Sequence, residues 1–241
     1  MRPFFSYYGG KWRDTPRLYP VPTHRVLVEP FAGSAGYATR YPDRSVLLVD
    51  SDPVIVGVWR YLIGVRSSEI LSLPDVVDHV DEIPLPDARA LVGFWLNRAV
   101  SSPRKRPSSW MRSGVSPSSF WGPRVRATIA SQVDRIRHWR VLHGTYADAP
   151  DVVASWFVDP PYQNAGRHYI HGSAALDFAA LGAWCRRRQG QVIVCEQAGA
   201  KWLPFSALDE TKTARASRSA EVAWVRDSEP SDPDGDTDPD A

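Results

Sequence analysis

The chain has 241 residues, 43% of them hydrophobic and 23% charged, with a formal net charge of +2. This length and composition predict one globular domain that can carry an insertion. No apolar run reaches the roughly 20 residues of a membrane helix, and the first residues lack the apolar core of a signal peptide, so we expect a cytoplasmic protein. Cys185 and Cys195 match no metal-ligand spacing and are expected in the core, as reduced thiols.

Charge is unevenly distributed along the chain. From Asp227 onward there are seven acids and no base, which leaves +9 on the rest of the chain. We expect this tail, residues 227–241, to be disordered and to aid solubility. Ten basic residues lie between Arg98 and Arg140, with Asp134 as the only acid among them. Such a stretch is typical of a surface that binds a polyanion, and a solvated flexible loop is the alternative.

The first nucleotide-binding pattern begins at a predicted strand, Arg25–Glu29, which runs into the small-residue turn Pro30–Gly36. A helical stretch, 37–41, follows. Glycines let a backbone approach a ligand closely, and a helix N-terminus supplies free N–H groups. This strand, turn and helix therefore predict a nucleotide-binding βα unit.

The second strand, 45–50, ends in an acid. An acid in this position commonly hydrogen-bonds ribose hydroxyls, which is the role we predict for Asp50. Asp52 is instead predicted to cap the helix that starts at Pro53.

Periodic apolar residues predict three further helices, over 53–65, over 87–100 with Asp87 as the N-cap, and over 123–139. Between the last two, residues 101–122 are polar, basic and without periodicity. A loop of this length inside a compact domain is usually functional or disordered.

The last part of the chain contains a strand, 152–159, that stops at Asp159-Pro160-Pro161-Tyr162. Two prolines cannot extend a sheet, because each lacks an N–H and has a fixed φ, so they turn the chain rigidly. The carboxyl end of a strand in an open α/β sheet is where ligands bind. Other elements are expected on both sides of this motif: strands 141–146, 191–196 and 222–225, one near Thr211, and a helix over 176–188.

Four motifs follow one another along the chain: Tyr8-Gly9-Gly10-Lys11, the stretch from Glu29 to Ser34, Asp50, and Asp159 to Tyr162. Together they resemble those of adenine-specific DNA methyltransferases of the Dam-like type, over most of the chain before the tail. The resemblance implies a Rossmann-like α/β methyltransferase sheet with helices on both faces, formed by residues 1–66 and 141–226. It also implies that residues 67–140 are an inserted, mainly helical and loop, target-recognition region.

The activity that the resemblance implies is methyl transfer from S-adenosylmethionine to the N6 amino group of adenine in DNA, without a metal. An adenine amino group is a weak nucleophile, since its lone pair is delocalised into the ring. The Asp159 carboxylate and the Pro160 carbonyl are expected to accept hydrogen bonds from its two N–H groups and to stabilise the developing positive charge. Tyr162 is expected to stack on the base after it has flipped out of the duplex.

Ten residues are implied as contacts of the methyl donor: Tyr8, Gly10, Lys11, Phe31, Ala32, Gly33, Ser34, Asp50, Tyr146 and Asp159. For Tyr146 a packing role in an edge strand is an equal alternative, and Asp148 is a weaker candidate for the same pocket. Glu196 is expected either to line the base pocket or to cap a helix. Ala35 departs from the family, which usually has a glycine at this place of the turn.

The partner that the resemblance implies is double-stranded DNA, bound by a monomer through exposed basic residues: Arg104, Lys105, Arg106, Arg112 and Arg124. A phage or prophage enzyme, or one of a restriction-modification pair, is the setting that we expect. The alternatives are methylation of cytosine amino groups, methylation of adenine in RNA, and a catalytically silent DNA-binding relative. Aspartate at position 159 favours adenine over cytosine.

Overall fold

The computed structural model describes residues 1–97, 100–114, 119–163, 176–208 and 221–227. Seven strands lie within these ranges: β1 (Val26–Glu29), β2 (Ser45–Asp50), β3 (Arg140–His143), β4 (Ala154–Val158), β5 (Gly190–Gln197), β6 (Ser206–Ala207) and β7 (Glu221–Asp227). They form one sheet in the order β3-β2-β1-β4-β5-β7-β6. The strand expected near Thr211 and the tail beyond Asp227 lie outside the described residues.

The sheet is mixed. Strands β1 to β5 pair in parallel, whereas β7 runs antiparallel to both of its neighbours. Glu221, the first residue of β7, therefore lies opposite Gln197, the last residue of β5. An antiparallel strand thus brings its beginning to the edge at which the parallel strands end.

The described helices are α1 (Thr15–Leu18), α2 (Pro53–Gly64), α3 (Ser67–Leu71), α4 (Pro86–Trp95), α5 (Ser109–Arg112), α6 (Pro123–Ala130) and α7 (Phe178–Arg187). Short 3-10 helices cover Ala38–Arg40, Val80–Glu82, Val133–Ile136 and Tyr146–Asp148. In the described part of the chain no helix is long and apolar enough to cross a membrane.

The alternation of side chains along the strands divides the interior into two clusters. On one face, Phe157 of β4 belongs to the cluster that contains the buried residues of α2, α4 and α6. On the other face, Trp156 and Val158 pack with α7. The prediction of a Rossmann-like α/β sheet with helices on both faces is confirmed. Both cysteines are buried and free, as expected.

The region 67–140 has the apolar residues of α4 and α6 in the same cluster as one face of the sheet. Its role in target recognition stays a prediction.

Several element boundaries differ from those expected. The helix expected over 123–139 is divided into α6 and a 3-10 helix, and between them the Gln132 side chain exchanges hydrogen bonds with the backbone of Arg2. The cap assigned to Asp87 is wrong, because the helix begins one residue earlier, at Pro86. Proline is common at the first position of a helix, because an N–H group there would have no hydrogen-bond partner within the helix and proline has none. The cap assigned to Asp52 is confirmed, with Val54 N donating to its side chain at 2.8 Å.

The basic segment that follows α4 is packed along this helix rather than extended into solvent. The Gly93 carbonyl accepts from Arg104 N at 3.0 Å, and the Lys105 carbonyl accepts from Val80 N at 2.9 Å. A Cβ atom on Gly93 would lie 2.7 Å from the Arg104 carbonyl oxygen, so only glycine permits this contact. The backbone is thereby fixed while the side chains of Arg104, Lys105 and Arg106 remain exposed.

Gly36, at the end of the turn after β1, packs against the N-terminal loop. A Cβ atom at this position would lie 2.8 Å from the backbone nitrogens of both Lys11 and Trp12. Such separations are too short for non-bonded atoms, so the glycine brings two parts of the chain together. It holds the loop that contains Lys11 against the carboxyl end of β1.

We expect Gly36→Ala to lower the free energy of unfolding by about 1–3 kcal/mol, because the added methyl group must push two backbone segments apart. Gly64→Ala is the matched control. Gly64 is exposed, ends α2 and has open space around its Cα, so alanine there should be neutral or stabilising by up to about 1 kcal/mol. Denaturant unfolding of both variants measures the difference, and equal stabilities would refute the close packing at Gly36.

Candidate active site

A cavity of about 560 Å³ lies at the carboxyl edge of the sheet. The chain passes from β1 outward through β2 to β3 and then returns to β4 on the other side of β1, and such a switch point is where open α/β sheets bind ligands. All ten residues that were predicted to contact the methyl donor line this cavity. Of the catalytic motif, Asp159 and Pro161 line it, whereas Pro160 is buried and Tyr162 packs against the core.

Asp50 stabilises the turn after β1 as well as lining the cavity. One of its carboxylate oxygens accepts from Gly33 N and the other from Asp52 N, both at 2.9 Å. The carboxylate therefore fixes the turn and the start of α2 together. Its contact with ribose hydroxyls stays a prediction.

The same turn contains the alanine that departs from the family pattern. Ala35 is fully buried and has a φ of +47°, in the left-handed region. A side chain in this conformation costs about 1–2 kcal/mol, whereas glycine adopts it without strain. The alanine is thus accommodated at a cost in stability, and the turn forms around it.

Lys11 forms the centre of a buried ion network. Its ammonium lies 3.3 Å from Oδ1 of Asp159 and 3.1 Å from Oε1 of Glu221, and it donates to the Gly9 carbonyl at 3.0 Å. The Lys11 side chain is 6% exposed. Burial by itself would lower the pKa of Lys11, but the two carboxylates outweigh it and hold that pKa above its ordinary value. The ammonium remains charged.

Two tyrosine hydroxyls complete this network. Tyr19 and Tyr162 donate to the two oxygens of Glu221, at 2.8 Å and 3.1 Å. The Lys11 ammonium also lies 4.8 Å from the centre of the Tyr162 ring, a cation–π distance. Burial opposes ionisation of Glu221, yet Lys11 and the hydroxyl donors hold its pKa below the ordinary value. Glu221 is therefore anionic and fixed by three partners.

Asp159 has a different electrostatic balance. Burial raises its pKa to about 6, an effect that Lys11 opposes and the nearby Glu221 charge reinforces. Its side chain is still 20% exposed, and it lines the cavity. A carboxyl group with a pKa near neutrality that a ligand can reach is a candidate for chemistry.

Phe31 and Tyr146 form an aromatic wall of the cavity. Their rings stack with centroids 5.7 Å apart and planes inclined by 26°. Tyr146 also contacts Trp184 edge to face, at 5.3 Å. It lies in the 3-10 helix after β3 rather than in the strand, so it packs and faces the cavity at once. Asp148, the weaker candidate, accepts from the backbone and hydroxyl of Thr145 and shapes this turn.

Two further glutamates are buried at the carboxyl edge. Glu29 accepts from Ala38 N at 2.5 Å, which ties the end of β1 to the 3-10 helix, and burial raises the pKa of Glu29 well above its ordinary value. Glu196 caps no helix, because it lies within β5, and it is not among the described residues that line the cavity. Its carboxylate accepts from Gln163 N and from the Trp202 indole, so it holds the chain just after Tyr162.

The five residues predicted to contact DNA are exposed, and none of them lines the donor cavity. The basic segment nevertheless starts beside it. Tyr8 N, in the cavity wall, donates to the Val100 carbonyl at 3.2 Å. Nucleic-acid binding by these side chains stays a prediction.

Glu221 is the member of the site that the sequence analysis missed. The strand 222–225 was expected, but its direction was not considered. An antiparallel last strand brings the acid at its start to the carboxyl edge, where Lys11 lies. An acid directly before a terminal strand was the available signal.

No protein-family model matches this chain, and no curated protein sequence matches it significantly. Solved structures show weak likeness. A conserved hypothetical protein of Streptococcus pyogenes has a TM-score of 0.36 and 11% identity, over 83% of each chain. Two structures of the rRNA methyltransferase AviRa from Streptomyces viridochromogenes have TM-scores of 0.39 and 0.38 and 15% identity, over 93% of this chain and 88% of theirs. Similarity at this level carries no argument about substrate or mechanism.

We expect Glu221→Ala to lower the free energy of unfolding by about 3 kcal/mol, because it removes one of two counter-charges from a buried ammonium and the acceptor of two hydroxyls. Glu221→Gln should cost less, since the amide can still accept a hydrogen bond. Asp78→Asn removes an exposed charge and should stay within about 0.5 kcal/mol of the wild type. Denaturant unfolding at neutral pH measures all three, and a Glu221→Ala variant as stable as Asp78→Asn would contradict the network.

Proposed function

We propose that this protein transfers a methyl group from S-adenosylmethionine to the N6 amino group of adenine in DNA. The observation that carries the proposal is the position of Asp159. It ends a buried strand at the switch point, lines the cavity with part of its side chain exposed, and is held there by Lys11.

The described lining of the cavity suits a cationic donor. It contains five acids and a single basic side chain, Lys11, whose charge is already paired with carboxylates; the acids are Glu29, Asp50, Asp52, Asp159 and Asp177. S-adenosylmethionine would supply a methyl group on a positively charged sulfonium. Burial favours the neutral form of Glu29, but the four aspartates still outnumber Lys11, and this excess of acids would attract that cation. The Phe31–Tyr146 wall offers an aromatic surface for its adenine ring, and Asp50 lies at the end of the second strand.

The acceptor side of the reaction rests on Asp159. An ionised carboxylate can accept a hydrogen bond from the adenine amino group. It can also stabilise the positive charge that develops on the nitrogen as the bond to the methyl carbon forms and the bond from that carbon to the sulfonium sulfur breaks. The methylated nitrogen must then lose a proton. With its pKa at about 6, Asp159 is suited to take up that proton and release it to solvent.

Tyr162 has one ring face already occupied. Lys11 lies over that face, and the hydroxyl is fixed by Glu221. Stacking on a flipped base would therefore use the opposite face of the ring.

Replacing Asp159 with alanine should reduce methyl transfer from labelled S-adenosylmethionine to DNA by at least about a hundredfold, the range that follows removal of an electrostatic stabiliser. Binding of DNA should change little, because the proposed phosphate contacts lie elsewhere. Asp78→Asn removes an exposed charge that is not among the residues lining the cavity, and this variant should keep full activity. A fully active Asp159→Ala variant would exclude the catalytic role, and no transfer by the wild type to any DNA or RNA would exclude the proposed activity.

The pH dependence should reflect the same carboxylate. Only ionised Asp159 can stabilise the positive charge on the amino nitrogen and take up its proton, so kcat/KM should fall about tenfold per pH unit below pH 6 and level off above about pH 7. Initial rates in buffers of constant ionic strength between pH 5 and 8 measure this. A rate that is constant over that range would mean that Asp159 does not titrate in the free enzyme.

A further inference from the structure

A second cavity, of about 530 Å³, adjoins the first. The two share four lining residues, which all belong to the N-terminal loop and the turn after β1: Tyr7, Gly9, Gly10 and Ser34. The loop that contains Lys11 is therefore a common wall, with the donor cavity on one side and this second space on the other.

The second cavity has the opposite charge. Its described lining contains three arginines and no acid: Arg2, Arg13 and Arg124. All three are exposed. Only Arg124 belongs to the stretch from Arg98 to Arg140 in which the sequence analysis found ten basic residues. The other two come from the N-terminus and lie far from it in sequence.

These arginines lack a counter-ion, whereas seven other arginines in the described part of the chain form ion pairs. Arg126, Arg137 and Arg188 each lie within 3.0 Å of an aspartate oxygen. Within the described residues, no carboxylate lies within ion-pair distance of Arg2, Arg13 or Arg124. Three uncompensated guanidinium groups around one cavity form a site for anions, and planar guanidinium suits phosphate oxygens well.

The cavity also has rigid aromatic walls. Trp95 is fixed by an indole hydrogen bond to the Phe4 carbonyl at 2.8 Å, and Trp12 by one to the Met1 carbonyl at 2.6 Å. Phe5 and Tyr7 add two further aromatic side chains to the lining. Flat rings beside cationic groups are the combination with which proteins hold nucleic-acid strands.

The cavity is continuous with the basic segment along the chain and in space. Trp95 ends α4, the helix along which that segment packs, and its carbonyl accepts from Trp121 N at 3.1 Å. Arg124 follows in the first turn of α6. A nucleic-acid strand is long enough to contact both the cavity and the exposed side chains of Arg104 to Arg106, whereas a small phosphate compound could contact only one of them. This continuity favours a nucleic-acid strand as the occupant.

We propose that the second cavity binds the sugar-phosphate backbone next to the target nucleotide, with Arg2, Arg13 and Arg124 contacting phosphates. The proposal rests on the proposed function and extends it with a phosphate-binding site to which Arg2 and Arg13, both outside region 67–140, contribute. Because the loop with Lys11 is a wall of both cavities, a strand held in the second one lies next to the cavity that Asp159 lines. The acidic lining of the first cavity favours the cationic donor, and the arginines of the second cavity favour the polyanion.

The test compares two double variants with the same change of charge. Arg13→Gln/Arg124→Gln removes two of the cavity arginines. Arg25→Gln/Arg60→Gln is the control, because both residues are exposed and neither lines either cavity. Binding of a short, fluorescently labelled DNA duplex is measured by anisotropy over a range of salt concentrations, and binding of S-adenosylmethionine is measured by calorimetry.

We expect the cavity variant to bind the duplex at least about tenfold more weakly, and the slope of log K against log salt to become shallower by about 2, since each lost phosphate contact removes about 0.9. The control should keep the wild-type slope, and both variants should bind S-adenosylmethionine like the wild type. Equal weakening in the two double variants, or no binding of nucleic acid by the wild type, would overturn the cavity proposal. If the duplex results are as expected but the wild type transfers no methyl group, the cavity proposal stands and the proposed activity fails.

Discussion

The site depends on one buried ammonium held between two carboxylates. Lys11 comes from the N-terminal loop, Asp159 from the end of β4 and Glu221 from the start of β7, so three distant parts of the chain meet at one charge. Burying charges is costly unless each has a partner, and removing one member leaves another uncompensated. The network therefore fixes the position of Asp159 more firmly than the two prolines after it could alone. It also explains how a carboxyl with a raised pKa coexists with two groups that stay fully ionised.

The N-terminal loop has a second consequence for the architecture. Gly36 packs against the backbone nitrogens of Lys11 and Trp12, and a Cβ on Gly10 would lie 3.1 Å from Ser34 Oγ, so the loop and the turn after β1 are in close contact. This thin wall separates an acidic cavity from a basic one. A donor that carries positive charge and a substrate that carries negative charge would each meet a complementary surface. The methyl group would pass from the donor to the base in the region around Lys11 and Asp159.

The strands were the most predictable part of the molecule. The strand 45–50 was predicted with the bounds that it has, because turn residues flank an apolar, β-branched run. Helix limits were less predictable, since contacts distant in sequence decide them. Gln132 binds the backbone of Arg2 where periodicity alone indicated a continuous helix. The 3-10 helix after the glycine turn is likewise anchored by Glu29, a buried acid for which periodicity gives no signal.

The candidate site was predictable where its residues occur in short motifs, and all ten predicted donor contacts line one cavity. Glu221 and the arginines near the N-terminus were not found, because nothing local distinguishes them. Their positions follow from strand direction and from packing of the N-terminal loop. The packing of the basic segment along α4 was not predicted, because backbone hydrogen bonds such as that from Arg104 N to the Gly93 carbonyl leave no trace in side-chain periodicity.

The central claim, that an adenine amino group in DNA receives a methyl group beside Asp159, is tested most directly by identifying the product. The protein is incubated with S-adenosylmethionine carrying an isotopic label in its methyl group and with DNA or RNA. The nucleic acid is then digested to nucleosides, which are analysed by mass spectrometry. The account predicts labelled N6-methyldeoxyadenosine from DNA. A label on the amino group of cytosine, a label confined to RNA, or no labelled nucleoside at all would contradict it.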